Sequence, residues 1–226
     1  LVQIELQARF DEENNINFAE QLEAAGVQLI FGIPGLKVHS KICVIDREQK
    51  MKNSRYGFIS TGNFNESTAK IYTDYTLFTS NHKILKEVNK VFNFLEVSHK
   101  IKKYKHLIVS PHYTTNIISK LIDNEIKNHK NGLSSGISLK LNNITNYPLV
   151  DKLYQASQAG VKIKMIVRGI CCLVPGKKGL SENITVVSIV DKFLEHPRVL
   201  IFENAGNKKI YLSSADFMTR NIENRV

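Results

Sequence analysis

Cysteine is scarce in this chain of 226 residues, and acidic side chains are outnumbered by basic ones. The three cysteines, Cys43, Cys171 and Cys172, have no paired spacing. That excludes a disulfide framework and argues for a reducing compartment. Cys43 lies in an apolar run and reads as a small core residue. Adjacent Cys171 and Cys172 lack the partner cluster a metal site needs. No apolar stretch reaches the length of a membrane helix, and no secretory signal opens the chain. An initiator methionine is absent too. Leu1 stands inside the strand-like run Val2-Gln3-Ile4-Glu5-Leu6, and the chain stops at Glu223-Asn224-Arg225-Val226 without a terminating pattern. It reads as a piece of a longer protein.

What is present is a foldable, basic chain. Apolar residues make up 42% of it, enough for a real core. Lysine and arginine number 31 against 21 acids, a net charge of +10. That excess suits a polyanion such as nucleic acid, polyphosphate or an anionic membrane surface. A soluble protein with a solvated basic face has the same composition.

The chain also repeats itself. Val38-His39-Ser40-Lys41-Ile42-Cys43-Val44-Ile45-Asp46 is matched by Glu195-His196-Pro197-Arg198-Val199-Leu200-Ile201-Phe202-Glu203. Each has a histidine, a cation two residues on, an apolar run, and an acid seven residues after the histidine. Downstream, Ile59-Ser60-Thr61-Gly62-Asn63-Phe64 matches Leu212-Ser213-Ser214-Ala215-Asp216-Phe217; upstream, the strand ending at Arg9 matches the one ending at Arg168. The offsets all lie between 153 and 159 residues. Two similar units follow one another.

Periodicity predicts strands at 2–7, 27–32, 42–46, 56–60 and 75–79 in the first unit, with helices at 16–25 and 82–96. In the second it predicts helices near 112–130 and 147–159, starting from Pro111 and Asn146, and strands near 137–142, 162–167, 184–190, 198–203 and 209–214. Alternating strands and helices imply an α/β class, with a mixed, mostly parallel sheet flanked by helices in each unit. The basic run from His99 to His106 suggests a boundary, giving domains 1–105 and 106–226, truncated at the N- and C-terminal sides respectively.

The histidine motif carries the chemistry. His-x-Lys with a later acid, beside an apolar strand, is the arrangement of the phospholipase D superfamily. Duplication places His39 and His196 across a pseudo-two-fold axis, so both can face one phosphorus atom. One attacks; the other donates a proton to the leaving oxygen or stabilises charge. Lys41 and Arg198 then supply charge for the nonbridging oxygens. Asp46 either orients an imidazole or caps its strand. Arg9 and Arg168 end corresponding strands, where ligands bind in open α/β sheets. There they read as two-pronged phosphate clamps, or, for Arg9, as a surface partner of Asp11-Glu12-Glu13. Thr61-Gly62-Asn63 and Ser213-Ser214-Ala215-Asp216 suit close backbone approach to a phosphate, or are ordinary turns.

At these residues the chain resembles a known family. Arg9-Phe10-Asp11-Glu12-Glu13-Asn14-Asn15-Ile16, Pro34-Gly35-Leu36-Lys37-Val38-His39-Ser40-Lys41, Thr61-Gly62-Asn63-Phe64-Asn65 and Ile71-Tyr72-Thr73-Asp74 look like the first catalytic domain of bacterial polyphosphate kinases of the phosphohistidine-forming class. Val167-Arg168-Gly169-Ile170-Cys171, Phe193-Leu194-Glu195-His196-Pro197-Arg198 and Ser213-Ser214-Ala215-Asp216-Phe217-Met218-Thr219-Arg220-Asn221 look like the second. The resemblance covers essentially the whole chain. It implies two tandem phospholipase D-like domains that move the γ-phosphate of ATP reversibly to inorganic polyphosphate, with Mg²⁺. By the same resemblance His39 is the phosphorylated nucleophile and His196 the second essential histidine. Tyr72, Arg168 and His196 contact ATP. Arg9 matches a magnesium-site arginine; a guanidinium has no lone pair for a cation, so it acts through the phosphate that carries the metal. ATP, ADP and polyphosphate are the implied partners, with no nucleic acid. The implied whole protein is a cytoplasmic homo-oligomer, at most peripheral to the inner membrane. Its other domains are missing here, so the fragment alone is expected to be inactive or weakly active.

Two other readings stand beside this one. A phospholipase D-type phosphodiesterase or nuclease shares the histidine pair but repeats His-x-Lys, where this chain has His196-Pro197-Arg198. A non-catalytic polyanion-binding module needs only the charge.

Overall fold

The histidine motifs sit at the edges of sheets built by short apolar runs. The computed structural model describes residues 1–5, 12–48, 54–97 and 103–226. Arg9 and residues 98–102 of the segment linking the two halves lie outside the described residues.

In the first half, β1 (Val2–Ile4) pairs in parallel with β2 (Leu29–Phe31), and α1 (Glu12–Ala24) connects them. The helix stops at Gly26, whose φ of +76° lets Val27 N–H reach back to the Leu22 carbonyl. A second sheet has the order β3 (Ile42–Arg47), β4 (Ser54–Ser60), β6 (Thr76–Thr79), all antiparallel. Helix α3 (His82–Glu96) covers it. Asn81 caps the helix by accepting from Lys83 N–H at 3.0 Å. Leu85, Val88, Val91 and Phe94 form its buried stripe, at the three-residue spacing that keeps one helix face inward. Between β4 and β6 lie a short helix, α2 (Glu66–Ala69), and the two-residue β5 (Tyr72–Thr73).

The second half has one five-stranded mixed sheet. Its members are β7 (Ile137–Leu141), β8 (Ile163–Val167), β9 (Ile184–Val187), β11 (Arg198–Phe202) and β12 (Lys209–Ser213), in the order β12-β11-β7-β8-β9. β7, β8 and β9 run parallel, whereas β11 is antiparallel to both neighbours. Ile137, Leu139 and Leu141 alternate inward against α4 (Thr114–Lys130) and α5 (Tyr147–Gln158). Helix α5 starts where expected: Asn146 accepts from Leu149 N–H at 3.2 Å. Helix α4 begins at Thr114, three residues beyond Pro111. A last short helix, α6 (Thr219–Glu223), follows β12.

Parallel and antiparallel sheets flanked by helices make up the α/β class that the alternating pattern predicted, and among the described residues the five-stranded sheet is the one that mixes both directions. Parallel pairings are no more numerous than antiparallel ones, because in both halves the histidine strand returns at once as a hairpin, β3–β4 and β11–β12. Short backbone pairings join the halves. β5 pairs in parallel with β10 (Leu194–Glu195), Leu194 opposite Tyr72 and Glu195 opposite Thr73. A second junction sets Lys37 beside Arg225.

Candidate active site

The β5–β10 register dictates the first feature of the site. With Leu194 opposite Tyr72 and Glu195 opposite Thr73, the next pair along is His196 and Asp74. His196 Nδ1 lies 2.8 Å from Asp74 Oδ1. That same oxygen accepts Thr61 Oγ1 at 2.7 Å. Gly62 has to be glycine here: a Cβ would come within 1.9 Å of Asp74 Oδ2. The close approach that Thr61-Gly62-Asn63 permits is therefore to a carboxylate. The Tyr72 ring stands 5.0 Å from the His196 ring.

The other face of His196 meets Arg198. Arg198 Nη1 donates to His196 Nε2 at 3.0 Å and to the His196 carbonyl at 3.1 Å. Its Nε and Nη2 grip both oxygens of Asp216, at 3.1 and 3.2 Å. Four of the five guanidinium donors are thus satisfied inside the protein. Because arginine can only donate, His196 Nε2 accepts and the proton sits on Nδ1, facing Asp74. The backbone N–H groups of Asn142 and Asn143 also donate to Asp216, at 2.8 and 3.2 Å. Asn142 Oδ1 accepts from Arg168 Nε at 3.3 Å, while its amide nitrogen lies 3.5 Å from the His196 carbonyl. Arg168 is therefore tied to the His196 cluster.

His39 comes to the site by a different route. It precedes β3, and its N–H donates to the Val226 carbonyl at 2.7 Å; Ser40 N–H donates to the same oxygen at 2.8 Å. Val226 of the second half thus holds the His39 loop of the first. Lys41, only 8% exposed, points its Nζ back to the His39 carbonyl. His39, Lys41, Asp216 and Arg225 line a cavity of about 550 Å³ between the halves. Apolar side chains such as Ile42, Leu77, Val91, Leu200 and Ile222 line it too.

The electrostatics follow from this crowding of cations. Burial, then Lys41, Arg225, Arg198 and His196, push His39 down to about 3, so the imidazole is neutral at physiological pH. Burial, then Arg198 and Arg225, push Lys41 down to about 7, against the pull of Asp74. His196 is lowered by burial and Arg198, with Asp74 opposing. For Asp216 burial acts upward, but the Arg198 hydrogen bonds, the Arg198 charge and two backbone N–H groups outweigh it, and the carboxyl sits below its usual range.

His39, Lys41, His196, Arg198, Tyr72 and Arg168 all lie in or beside this junction. Arg9 lies outside the described residues. Asp46 is elsewhere: it pairs across the β3–β4 hairpin with Arg55 on the surface, its carboxyl lowered by that contact, and orients no imidazole. Glu203 pairs with Lys208 at 3.2 Å, also away from the histidines. Asp74, Asn142 and Arg225 escaped attention in the sequence. Among the described residues no group of three or more His, Cys, Asp or Glu side chains is placed to hold a metal. The two carboxylates at the histidines are already engaged by His196, Thr61 and Arg198.

Comparison with known proteins shows the family of the chain. The family described as polyphosphate kinase C-terminal domain 1 matches residues 1–101, and polyphosphate kinase C-terminal domain 2 matches residues 107–226. The polyphosphate kinase of Escherichia coli K12 is 52% identical over 225 residues, covering all of this chain and 33% of that protein. That of Yersinia pestis is 54% identical over the same length, again with 33% of that protein covered. The crystal structure of polyphosphate kinase from Porphyromonas gingivalis superposes with a TM-score of 0.84 at 40% identity, over 99% of this chain and 36% of that one. The chain thus spans about a third of the length of the relatives it matches. Its two α/β units are the tandem phospholipase D-like pair that the repeat implied, and the chain belongs to the polyphosphate kinase family.

Proposed function

We propose that the protein containing this chain transfers the γ-phosphate of ATP to inorganic polyphosphate, reversibly, through a phosphohistidine at His39. The observation that carries the reading is the pairing of unlike histidines at one junction. His39 is neutral and lines a cation-rich cavity, while His196 is locked between Asp74 and Arg198.

The step balances as follows. A lone pair of the neutral His39 ring attacks the γ-phosphorus of ATP. A P–N bond forms, the bond to the β,γ-bridging oxygen breaks, and ADP leaves with that electron pair. The ring then sheds its N–H proton. In the second half-reaction a terminal oxygen of polyphosphate attacks the phosphorus, the P–N bond breaks, and the imidazole takes back a proton. Lys41 balances charge on the transferred group. Tyr72 and Arg168 flank the nucleotide on the His196 side. Arg198, with most of its donors engaged, holds His196 in one tautomer and presents positive charge from behind it.

Magnesium belongs to this reading as the companion of the nucleotide phosphates and would stabilise their negative charge; Arg9 is assigned to the phosphate that carries it. A division into units 1–105 and 106–226 rests on the basic run from His99 to His106, and a homo-oligomeric whole protein and a cytoplasmic location, at most peripheral to the inner membrane, rest on the family resemblance. Among the described residues no helix is long and apolar enough to cross a membrane.

The test is brief exposure of the full-length protein to γ-labelled ATP, followed by mass spectrometry. Acid-labile phosphate on His39, lost in His39→Ala, is the expected result. Polyphosphate binding with no label on any histidine would replace the kinase by a passive polyanion module.

A further inference from the structure

Charge at the junction is unevenly committed. Arg198 has four N–H groups engaged by Asp216 and His196. Lys41 donates to the His39 carbonyl. Arg225 is different. Its guanidinium makes no hydrogen bond or ion pair among the described residues, although Asp216 lies near enough to attract it. It is nevertheless half-buried, and it lines the same cavity as His39, Lys41 and Asp216.

The backbone around Arg225 fixes it there. Lys37 N–H donates to the Asn224 carbonyl at 2.9 Å, and Val226 N–H donates to the Lys37 carbonyl at 3.0 Å. His39 and Ser40 then donate to Val226. The guanidinium and the imidazole are therefore carried on two segments hydrogen-bonded to each other. Among the described residues the carboxylates that meet the cations Lys41, Arg198 and Arg225 are Asp74 and Asp216, of which Asp74 is already bound to His196 and Asp216 to Arg198, while Arg220 adds a further positive charge near Arg225. A half-buried arginine with unused donors, beside a nucleophile and in net positive surroundings, is a site for an anion.

We infer that Arg225 is a catalytic residue that grips the nonbridging oxygens of the phosphoryl group at His39, through a two-pronged guanidinium contact that Arg198 is no longer free to make. The inference deepens the phosphotransfer reading and depends on it for the identity of the anion. It assigns the two arginines of the junction different work. Arg198 positions His196, and Arg225 touches the group in flight. The nonbridging oxygens of a transferring phosphoryl group carry the charge that needs stabilising, so a fork aimed at two of them both orients and stabilises.

The experiment uses the full-length protein as wild type, R225K and R225Q. Tripolyphosphate binding is measured by titration calorimetry at one pH and ionic strength, and labelling of His39 by γ-labelled ATP in parallel. R225Q should bind tripolyphosphate about ten- to a hundredfold more weakly, the range for one lost charge-assisted contact. R225K keeps the charge but not the fork, and should lose roughly two- to fivefold. A side chain that merely supported the backbone would leave affinity unchanged in a folded variant. Equal affinity and equal labelling in R225Q would overturn the assignment. If R225Q does not fold, wild-type affinity and labelling in R225K would overturn it instead. Wild-type protein that binds tripolyphosphate but never labels His39 removes the kinase reading, and the same titrations still decide whether Arg225 contacts the anion.

Discussion

The two halves share a plan but not a core. In the second, Ile122, Leu141, Leu149, Leu153, Ile163, Met165 and Phe202 are almost completely buried and belong to one continuous cluster. In the first, the buried stripe of α3 does most of the packing, and Phe64 and Phe78 stand 59% and 75% exposed. Val91 and Phe94 complete their cluster with Val226, Leu107 and Val109 from the other half. Glu87 accepts the N–H groups of Lys105, His106 and Leu107; burial alone would raise its carboxyl, and these donors hold it below the usual range. The second half is a scaffold, and the first leans on it. The site is exchanged in both directions: Val226 of the scaffold holds the His39 loop, while Asp74 of the leaning half holds His196.

The sharpest way to break this comparison is at the scaffold's own charge pair. Arg198 and Asp216 are 5% and 3% exposed. Asp216→Asn keeps the shape but leaves a buried guanidinium without its counter-charge, at a cost of about 3–5 kcal/mol. Both stability and His39 labelling should collapse, read by thermal melting and label incorporation in the full-length protein. A melting temperature within error of wild type would show that the second half does not depend on this pair.

The exchanged carboxylate should behave differently. Asp74→Asn removes a charge-assisted hydrogen bond of about 1.5–3 kcal/mol from a partly exposed position. Stability should fall less than for Asp216→Asn. Turnover should fall about ten- to a hundredfold, because the Nδ1–H of His196 loses the carboxylate that orients the ring. Asp74 also opposes the downward shift of His196. Without it the folded pKa drops further below the usual value of 6.5. The unfolded chain then binds the extra proton over a wider acid range, so the acid loss of stability beginning near pH 6.5 extends to lower pH. Unchanged turnover together with an unchanged acid limb would mean that the cross-half contact positions nothing.

These contrasts also mark what the sequence could disclose. Apolar periodicity located most strands and helices, because β7, β8, β11 and α3 each bury a regular face. The duplicated motif located both histidines and their cations. It could not show β5 and β10, which at two residues each are too short to carry a period. Asp74 therefore stayed silent, since its role follows from a register set by residues more than a hundred positions away. Arg225 had no local signal either; it reaches the site through the pairing of its strand-like segment with Lys37. Asp46 misled in the opposite way. Seven residues of extended chain at about 3.3 Å each separate it from His39 by roughly 20 Å, too far to orient a ring. Arg198 looked like a free phosphate ligand because its burial against Asp216 depends on the β11–β12 pairing of Arg198 with Ser213.

The smallest effect is also the most direct measure of how the halves meet. Lys41 belongs to the first half, yet the cations that push it down to about 7, after burial, are Arg198 and Arg225 of the second. Between about pH 7 and its usual 10.5, the unfolded chain carries this proton and the folded chain does not. Stability from this group therefore rises with pH across that window, and its charged form is a net cost below it. A bound polyanion reverses the preference, since negative charge favours the ammonium. Binding of tripolyphosphate at pH 8 should accordingly draw up to about one proton onto Lys41. His39 stays neutral there, being held near 3, and adds nothing. Titration calorimetry in Tris and in HEPES reads the uptake from the difference in heats. The ligand's own protons cancel when wild type is compared with Lys41→Arg, which is charged in both states. An uptake that is the same in the two proteins would mean that the second half's arginines do not press on Lys41, and that the halves meet less closely than the shared cavity implies.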